Sequence, residues 1–353
     1  MNSFGPAGSE MTTWFRRLAL VGLVLCFVVV VLGAYVRLNA AGLGCPDWPG
    51  CYGHITPTGA AGNAAAQAAY PNMPLVVGKA WKEMIHRYAA STLGLVILVI
   101  AALAITTRRQ RIVSLPLAVG LFITVVVQGI LGMLTVTWLL KPLIVTLHLL
   151  FGLTTLSLLW WLFMSLRSAP RGGVRFAGAS VSTVGAYPDR TRAPHRAMLV
   201  GLVALGIQIA LGGWTSSNYA AVACPDFPKC QNSWIPETDY KDAFVLWRGL
   251  GVNYEGGILQ HPARVAIHFT HRLGALAATL TLLFAVIATL RRKVKAGAQI
   301  AAYAVLGALA LQLFIGASMV LKGFPLALAT AHNAGAALLL LTSLALYRAL
   351  RYG

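Results

Sequence analysis

The segment Glu83-Met84-Ile85-His86-Arg87 places a carboxylate, an imidazole and a guanidinium at the start of a long apolar run. Residues three apart share a helix face, so Glu83 and His86 are expected to point the same way. Ionisable groups at membrane depth are costly and usually serve a function. A second segment, His268-Phe269-Thr270-His271-Arg272, repeats the spacing with a histidine in place of the carboxylate. The two segments divide the chain into two related halves.

Two more histidines, His148 and His332, complete the pattern. Each half then has one histidine near the outer end of its second helix and one near the outer end of its fourth. A lone histidine would be interpreted as a core residue bonded to a neighbouring helix. Two pairs in register at matching depth favour axial ligation of a haem iron in each half, because paired imidazoles are common haem ligands.

The composition indicates that these residues belong to a membrane protein, whose helices would position them. Of 353 residues, 58% are hydrophobic and 10% charged, and the mean hydropathy is +0.73. A helix needs about 20 apolar residues to cross a bilayer. Eight transmembrane helices are predicted, some beginning a turn before the uncharged stretch that marks them. Those stretches are 18–36, 88–107, 112–140, 142–166, 197–223, 273–290, 296–321 and 323–347.

The net charge of +19 does not indicate nucleic-acid binding, because of how it is distributed. With the N-terminus inside, the inner segments hold 17 of the 28 basic residues, and most acidic residues fall in outer loops. This positive-inside pattern predicts a multi-pass protein with both termini cytoplasmic. The first 17 residues include Glu10 and make a poor mitochondrial transit peptide, which favours a bacterial plasma membrane. Helix 1 is expected to be retained, because it has a counterpart later in the chain.

Four landmarks recur in one order at offsets of 179, 185, 184 and 184 residues, which indicates an internal repeat. Each half has four helices, an even number, so both halves run the same way. The predicted fold is all-α: two parallel-repeat four-helix bundles, with halves 1–166 and 197–353 joined by a basic inner linker, 167–196. The landmark pairs are Gly33/Gly212, His86/His271, Gln128/Gln312 and His148/His332.

The four loop cysteines form two C-x5-C motifs, Cys45/Cys51 and Cys224/Cys230, each with proline and aspartate between them. Outer loops permit disulfides, so a disulfide within each loop is expected. Metal binding is a weaker interpretation, because neither loop offers four ligands. A redox role by exchange with a thiol protein stays open.

The arginines and glutamines beside the histidines have two interpretations each. Arg87 and Arg272 can pair with haem propionates or extend to lipid headgroups, and neither interpretation is preferred. Gln128 and Gln312 can line a haem pocket or bridge helices, and bridging is the more common role.

Taken together, these residues resemble the haem A synthase family along nearly the whole chain. The resemblance is carried by residues 83–87, Cys45…Cys51, His148, His271-Arg272, His332 and the duplicated four-helix plan. It implies a membrane oxidoreductase that converts haem O to haem A for cytochrome oxidase by oxidising a ring methyl to a formyl group.

The resemblance also implies roles for individual residues. The C-terminal half would hold a permanent haem b, with its iron, through His271 and His332. The N-terminal half would receive the substrate haem O through His86 and His148. Glu83 matches the acidic residue regarded as catalytic. Haem O synthase and cytochrome oxidase assembly factors are the partners that this activity implies, besides membrane lipid; nucleic acid is not among them.

Two other functions fit the histidine pairs. One is a dihaem b-type membrane carrier that oxidises quinol and passes electrons outward, but a simple carrier would not need a carboxylate beside one iron. The other is a haem transporter or chaperone without catalysis. The chain has no nucleotide-binding motif, which argues mildly against ATP-driven transport by this chain alone.

Overall fold

The structure is a computed structural model that describes residues 6–167 and 189–352. In this part of the chain the regular structure is α-helical, apart from short 3₁₀ turns and two isolated β-bridges, which confirms the predicted all-α class. The helices are α1 (Pro6–Leu38), α2 (Pro57–Ala61), α3 (Ala64–Ala68), α4 (Val77–Thr106), α5 (Leu115–Thr137), α6 (Pro142–Arg167), α7 (Asp189–Ser217), α8 (Tyr240–Ala243), α9 (His261–Leu290), α10 (Ala296–Leu321) and α11 (Leu326–Tyr352).

Eight of the described helices are long and apolar enough to cross a membrane, as predicted. Their most apolar windows have mean hydropathies between 1.4 and 2.9. Their outer faces expose large apolar side chains, such as Phe284 (66% exposed) and Phe314 (70%). Extended apolar surface of this kind suits contact with lipid rather than water. The spans are α1, α4, α5, α6, α7, α9, α10 and α11.

The two spans that carry His86 and His271 begin well before the uncharged stretches from which they were predicted. Helix α4 begins at Val77, eleven residues early, and α9 begins at His261, twelve residues early. The predicted single extra turn was therefore too short. Charged side chains in the extra turns find partners in the neighbouring loops; Lys82 Nζ, for example, donates to Asn39 Oδ1 at 3.1 Å. Such partners allow the helix to continue beyond the purely apolar segment.

The predicted linker 167–196 is shorter than expected on its C-terminal side. Helix α6 ends at Arg167 and α7 begins at Asp189, so residues 189–196 are helical. The rest of the predicted linker, 168–188, lies outside the described residues. Helix α7 ends at Ser217, six residues before the end of its uncharged stretch.

The two halves of the repeat share one hydrophobic core. Its buried side chains come from both halves and include Leu156, Leu282 and Leu346. A hydrogen bond of 2.9 Å also crosses between the halves, from Trp160 Nε1 to the carbonyl oxygen of Leu341. The halves are therefore repeats in sequence that pack into one helical body, and any division of labour between them must come from their individual residues.

Each half carries a cysteine loop that is closed on itself. The sulfurs of Cys45 and Cys51 lie 2.05 Å apart, and those of Cys224 and Cys230 lie 1.93 Å apart. Cys26, buried in α1, is the free cysteine of the described residues. An aspartate inside each loop accepts two backbone N–H groups from the returning chain, which fixes the turn. These donors are Tyr52 and Gly53 for Asp47, and Gln231 and Asn232 for Asp226.

Non-reducing peptide mapping of the purified protein is expected to link Cys45 to Cys51 and Cys224 to Cys230. Replacing Cys51 with serine should lower the free energy of unfolding by about 2 kcal/mol, because closing so short a loop removes roughly that much chain entropy. Cys26→Ala is the control and should leave both linkages in place. Cross-loop peptides, or free thiols at all four loop positions, would contradict the pairing.

Candidate functional site

Four histidines lie on four of the long helices, two in each half. His86 is on α4 and His148 on α6, whereas His271 is on α9 and His332 on α11. Within each half the two imidazoles lie close enough to interact electrostatically. The structure therefore brings His86 together with His148, and His271 with His332, the pairs that the sequence indicated.

Each of these histidine rings faces a glycine on the neighbouring helix. A β-carbon placed on any of the four glycines would come within 3.2 Å of the ring carbon Cε1, which is closer than side chains ordinarily pack. Glycine thus leaves the space that lets each ring lie against the next helix backbone. The distances to Cε1 are 3.0 Å for Gly33 and His86, 3.2 Å for Gly132 and His148, 3.1 Å for Gly212 and His271, and 2.9 Å for Gly316 and His332.

The donor set of these sites suits a haem iron. In the described residues, no three His, Cys, Asp or Glu side chains gather into a metal-binding cluster. Two imidazoles suffice for an iron whose other four ligands come from a macrocycle. The Nδ1 atoms of His86, His148 and His332 are buried and have no hydrogen-bond partner among the described residues.

A buried ion pair lies one helical turn from His86. Glu83 is only 4% exposed, and its Oε1 lies 2.5 Å from Arg87 Nη2. Its Oε2 accepts a hydrogen bond of 2.9 Å from the backbone N–H of Cys45. A buried charge without partners would be strongly destabilising, so these contacts are what keeps the carboxylate there. They also join α4 to the first cysteine loop.

The arginines hold the cysteine loops. Each guanidinium donates to three backbone carbonyls of the loop in its own half, so it acts as a clamp between helix and loop. The haem-propionate contact expected for Arg87 and Arg272 stays a prediction. Arg87 binds the carbonyls of Asp47, Pro49 and Gly50 at 3.0, 3.2 and 2.5 Å, and Arg272 those of Cys224, Asp226 and Lys229 at 2.9, 2.8 and 2.6 Å.

The second half lacks the carboxylate. His268 occupies the position of Glu83 and is also 4% exposed. Its Nε2 accepts a hydrogen bond of 3.3 Å from Arg272 Nε. The two halves therefore share the clamp but differ in the buried group beside it: an acidic side chain in the first half and an imidazole in the second.

Two glutamines bridge helices beside the histidines. Gln128 Nε2 donates to the backbone carbonyl of His148 at 2.9 Å and lies 3.4 Å from its Nε2. Gln312 Nε2 lies 3.3 Å from His332 Nε2. These contacts match the helix-bridging interpretation and place both amides next to a histidine ring.

Sequence reasoning missed three residues of these sites. Gly33 and Gly212 served only as landmarks of the repeat, although each faces a histidine. Their equal distance from the following cysteine was a signal, because a repeated glycine in an apolar helix indicates a close approach. Gln208 was overlooked altogether, yet its Nε2 lies 3.1 Å from His271 Nδ1. The available signal was a lone amide in an uncharged helix, four residues before Gly212.

Comparison with known proteins agrees with this arrangement. Residues 16–344 match the family described as cytochrome oxidase assembly protein. The chain is 43% identical over 334 residues to Heme A synthase of Shewanella oneidensis, covering 94% of each chain. It is 26% identical to Heme A synthase of Rhizorhabdus wittichii, covering 95% of this chain and 92% of the relative.

The fold and the site geometry together define the class of this protein: a polytopic all-α membrane protein with a duplicated histidine site. The chain belongs to the cytochrome oxidase assembly protein family that these relatives represent. The resemblance to haem A synthase predicted from the sequence is confirmed.

The Arg87 clamp is expected to contribute more to stability than the Arg272 clamp. Arg87→Met leaves Glu83 buried without its partner and should lower the free energy of unfolding by about 3 kcal/mol, whereas Arg272→Met leaves no acidic side chain unpaired and should cost less. Thermal unfolding of each purified variant and of the unsubstituted protein measures the two losses in free energy of unfolding.

The control is the double variant Glu83→Gln/Arg87→Met, which should recover part of the stability because no buried charge remains. Equal losses in Arg87→Met and Arg272→Met, with no recovery in the double variant, would show that the ion pair is not what the clamp depends on.

Proposed function

We propose that this chain is a haem A synthase: a membrane oxidoreductase that converts haem O to haem A by oxidising a ring methyl to a formyl group. The proposal rests on one difference between two otherwise matching sites. Both halves have a histidine pair, facing glycines and an arginine clamp, but only the first has a buried carboxylate one turn from a ligand histidine. Family membership and the names of the relatives support the same activity.

The two histidine pairs are assigned different haems. His86 and His148 would hold the substrate haem O in the N-terminal half, 1–166. His271 and His332 would hold a resident haem b in the C-terminal half, 197–353. Support comes from the glycine that faces each histidine ring and from the absence of a carboxylate at His268. When bound, haem b supplies one-electron redox chemistry, and the protein supplies orientation and electrostatics.

Glu83 is the group that can move a proton at the substrate site. Conversion of a methyl to a formyl group with oxygen from water releases protons, which need a base, and electrons, which must pass to an external electron acceptor. The Glu83 carboxylate can accept a proton at Oε1 or Oε2, or stabilise positive charge developing on the substrate ring. Its contacts with Arg87 and the Cys45 N–H fix its position without contributing an additional acid.

The disulfide loop, together with Arg87, keeps this carboxylate in place at the outer end of α4. Glu83 binds the loop backbone at Cys45, and Arg87 binds three loop carbonyls. The loop therefore covers the carboxylate and limits its access to water. A carboxylate that is positioned by fixed donors needs little rearrangement during proton transfer.

The proposed setting is a bacterial plasma membrane with both termini on the cytoplasmic side. The basic inner segments and the disulfide-closed loops support this orientation, since disulfides persist outside the cytoplasm. Haem O synthase would supply the substrate, and cytochrome oxidase assembly factors would take the product.

Glu83→Gln is expected to fold, keep haem b and bind haem O, but to make at least about 100-fold less haem A, since general bases typically contribute that much. Glutamine keeps the size and hydrogen-bonding capacity of the side chain but cannot accept a proton from water. The measurement is haem A per resident haem b in extracted pigment. Lys82→Gln, which removes a charge one residue away without removing the carboxylate, is the control and should stay active. Near-normal haem A production by Glu83→Gln would contradict a catalytic role for Glu83.

His271→Ala and His332→Ala are each expected to lose the low-spin spectrum of haem b, because each removes one axial ligand. The measurement is the reduced-minus-oxidised spectrum and haem content of protein purified from cells without haem O synthase. His54→Ala, in the first outer loop, is the control and should retain the pigment. A full low-spin haem b spectrum in either ligand variant would refute the assignment of the resident site.

A further inference from the structure

One buried amide distinguishes the site of His271 from that of His86. Gln208, on α7, places its Nε2 3.1 Å from His271 Nδ1 and 3.1 Å from the backbone carbonyl oxygen of the same residue. By the offset of Gly33 and Gly212, the corresponding position of α1 is Val29. Of the four ligand histidines, His271 is therefore the one whose Nδ1 faces a polar side chain, since the other three Nδ1 atoms are unpartnered among the described residues.

Gly274 makes room for this amide. A β-carbon placed there would lie only 2.4 Å from Gln208 Oε1, so an alanine would displace the side chain. By the offset of His86 and His271, the corresponding residue of α4 is Ala89. The C-terminal half thus pairs glutamine with glycine where the N-terminal half pairs valine with alanine. Because the Gln208 side chain needs the space that Gly274 leaves, the two differences form a single structural feature.

The amide has a chemical role when iron binds His271. Ligation through Nε2 leaves the proton of the neutral imidazole on Nδ1, and that N–H needs an acceptor. The Gln208 amide nitrogen also lies 3.4 Å from His271 Nε2. A half-turn of the amide brings Gln208 Oε1 opposite Nδ1 and gives up the bond from Nε2 to the His271 carbonyl oxygen. An acceptor at this atom fixes the ring orientation and makes the ligand more basic. Loss of such a partner typically weakens metal binding 10–100-fold.

We propose that Gln208 is a positioning residue that makes the C-terminal histidine pair the haem-retaining site, with Gly274 as its steric requirement. Val29 provides no such acceptor, so the N-terminal pair binds its haem reversibly. This inference rests on the proposed function, in which one half keeps its haem while the other exchanges substrate for product.

The test exchanges the pair between halves. Gln208→Val/Gly274→Ala imports the combination that already packs in the N-terminal half, so the helices should still fit. The protein is purified from cells without haem O synthase and mixed with excess apomyoglobin as haem acceptor. The variant should lose haem b about 10–100-fold faster than the unsubstituted protein. Its haem midpoint potential should rise, because the ferric state loses the more basic ligand.

Two single variants separate the amide from general packing. Gly274→Ala keeps Gln208 but displaces its amide, and it should shift haem loss and potential in the same directions. Gly206→Ala, at an open position of α7, should change neither quantity. Gln208→Met keeps side-chain length without an acceptor and replaces the double variant if that protein does not accumulate.

Unchanged haem loss and unchanged potential in the double variant, or in its Gln208→Met replacement, would overturn the role of Gln208 and leave the proposed function standing. The proposed function itself fails in a different way. If His271→Ala retains the same haem b as the unsubstituted protein, the resident haem does not lie in the C-terminal half.

Discussion

The ion pair between Glu83 and Arg87 is the interaction on which the cysteine-loop end of the first half depends. A carboxylate that is 4% exposed at a membrane boundary persists only with charged and hydrogen-bonding partners. Arg87 supplies the charge and Cys45 supplies a backbone N–H. Because Arg87 also binds three loop carbonyls, the same side chain that neutralises Glu83 fixes the disulfide loop over it. Carboxylate, helix and loop therefore form one unit beside His86.

Duplication explains most of the remaining architecture, and small departures from it explain the proposed division of labour. The facing glycine, the histidine and the arginine clamp recur in both halves. Where one half has Glu83, the other has His268, which provides an imidazole instead of a carboxylate. Where one half has Gln208, the other has Val29. In the proposed function the first exchange gives the N-terminal site a proton acceptor, and in the further proposal the second gives the C-terminal site a more firmly held ligand.

The sequence predicted the elements that depend on residue type and regular spacing. Hydropathy identifies the eight apolar runs, and the repeat offsets identify the four matched histidines, so neither needs coordinates. Helix boundaries were harder: α4 and α9 extend into charged sequence, where loop residues accept hydrogen bonds from the charged side chains. Those partners come from distant segments, which no local pattern reveals.

Site details failed for the same reason. The contacts of Arg87 with loop carbonyls were not predicted, because the loop lies about 40 residues earlier in the chain. The contact of Gln208 with His271 joins residues 63 apart on different helices. Helix crossing geometry decides such contacts, and hydrophobic periodicity contains little information about it.

The most direct test of the account is the haem composition of the purified protein with and without haem O synthase in the host. One resident haem b per chain is expected without the synthase, and haem b together with haem O or haem A is expected with it. Two haem b groups per chain in both hosts, with no haem O or haem A, would contradict the account and indicate a dihaem electron carrier.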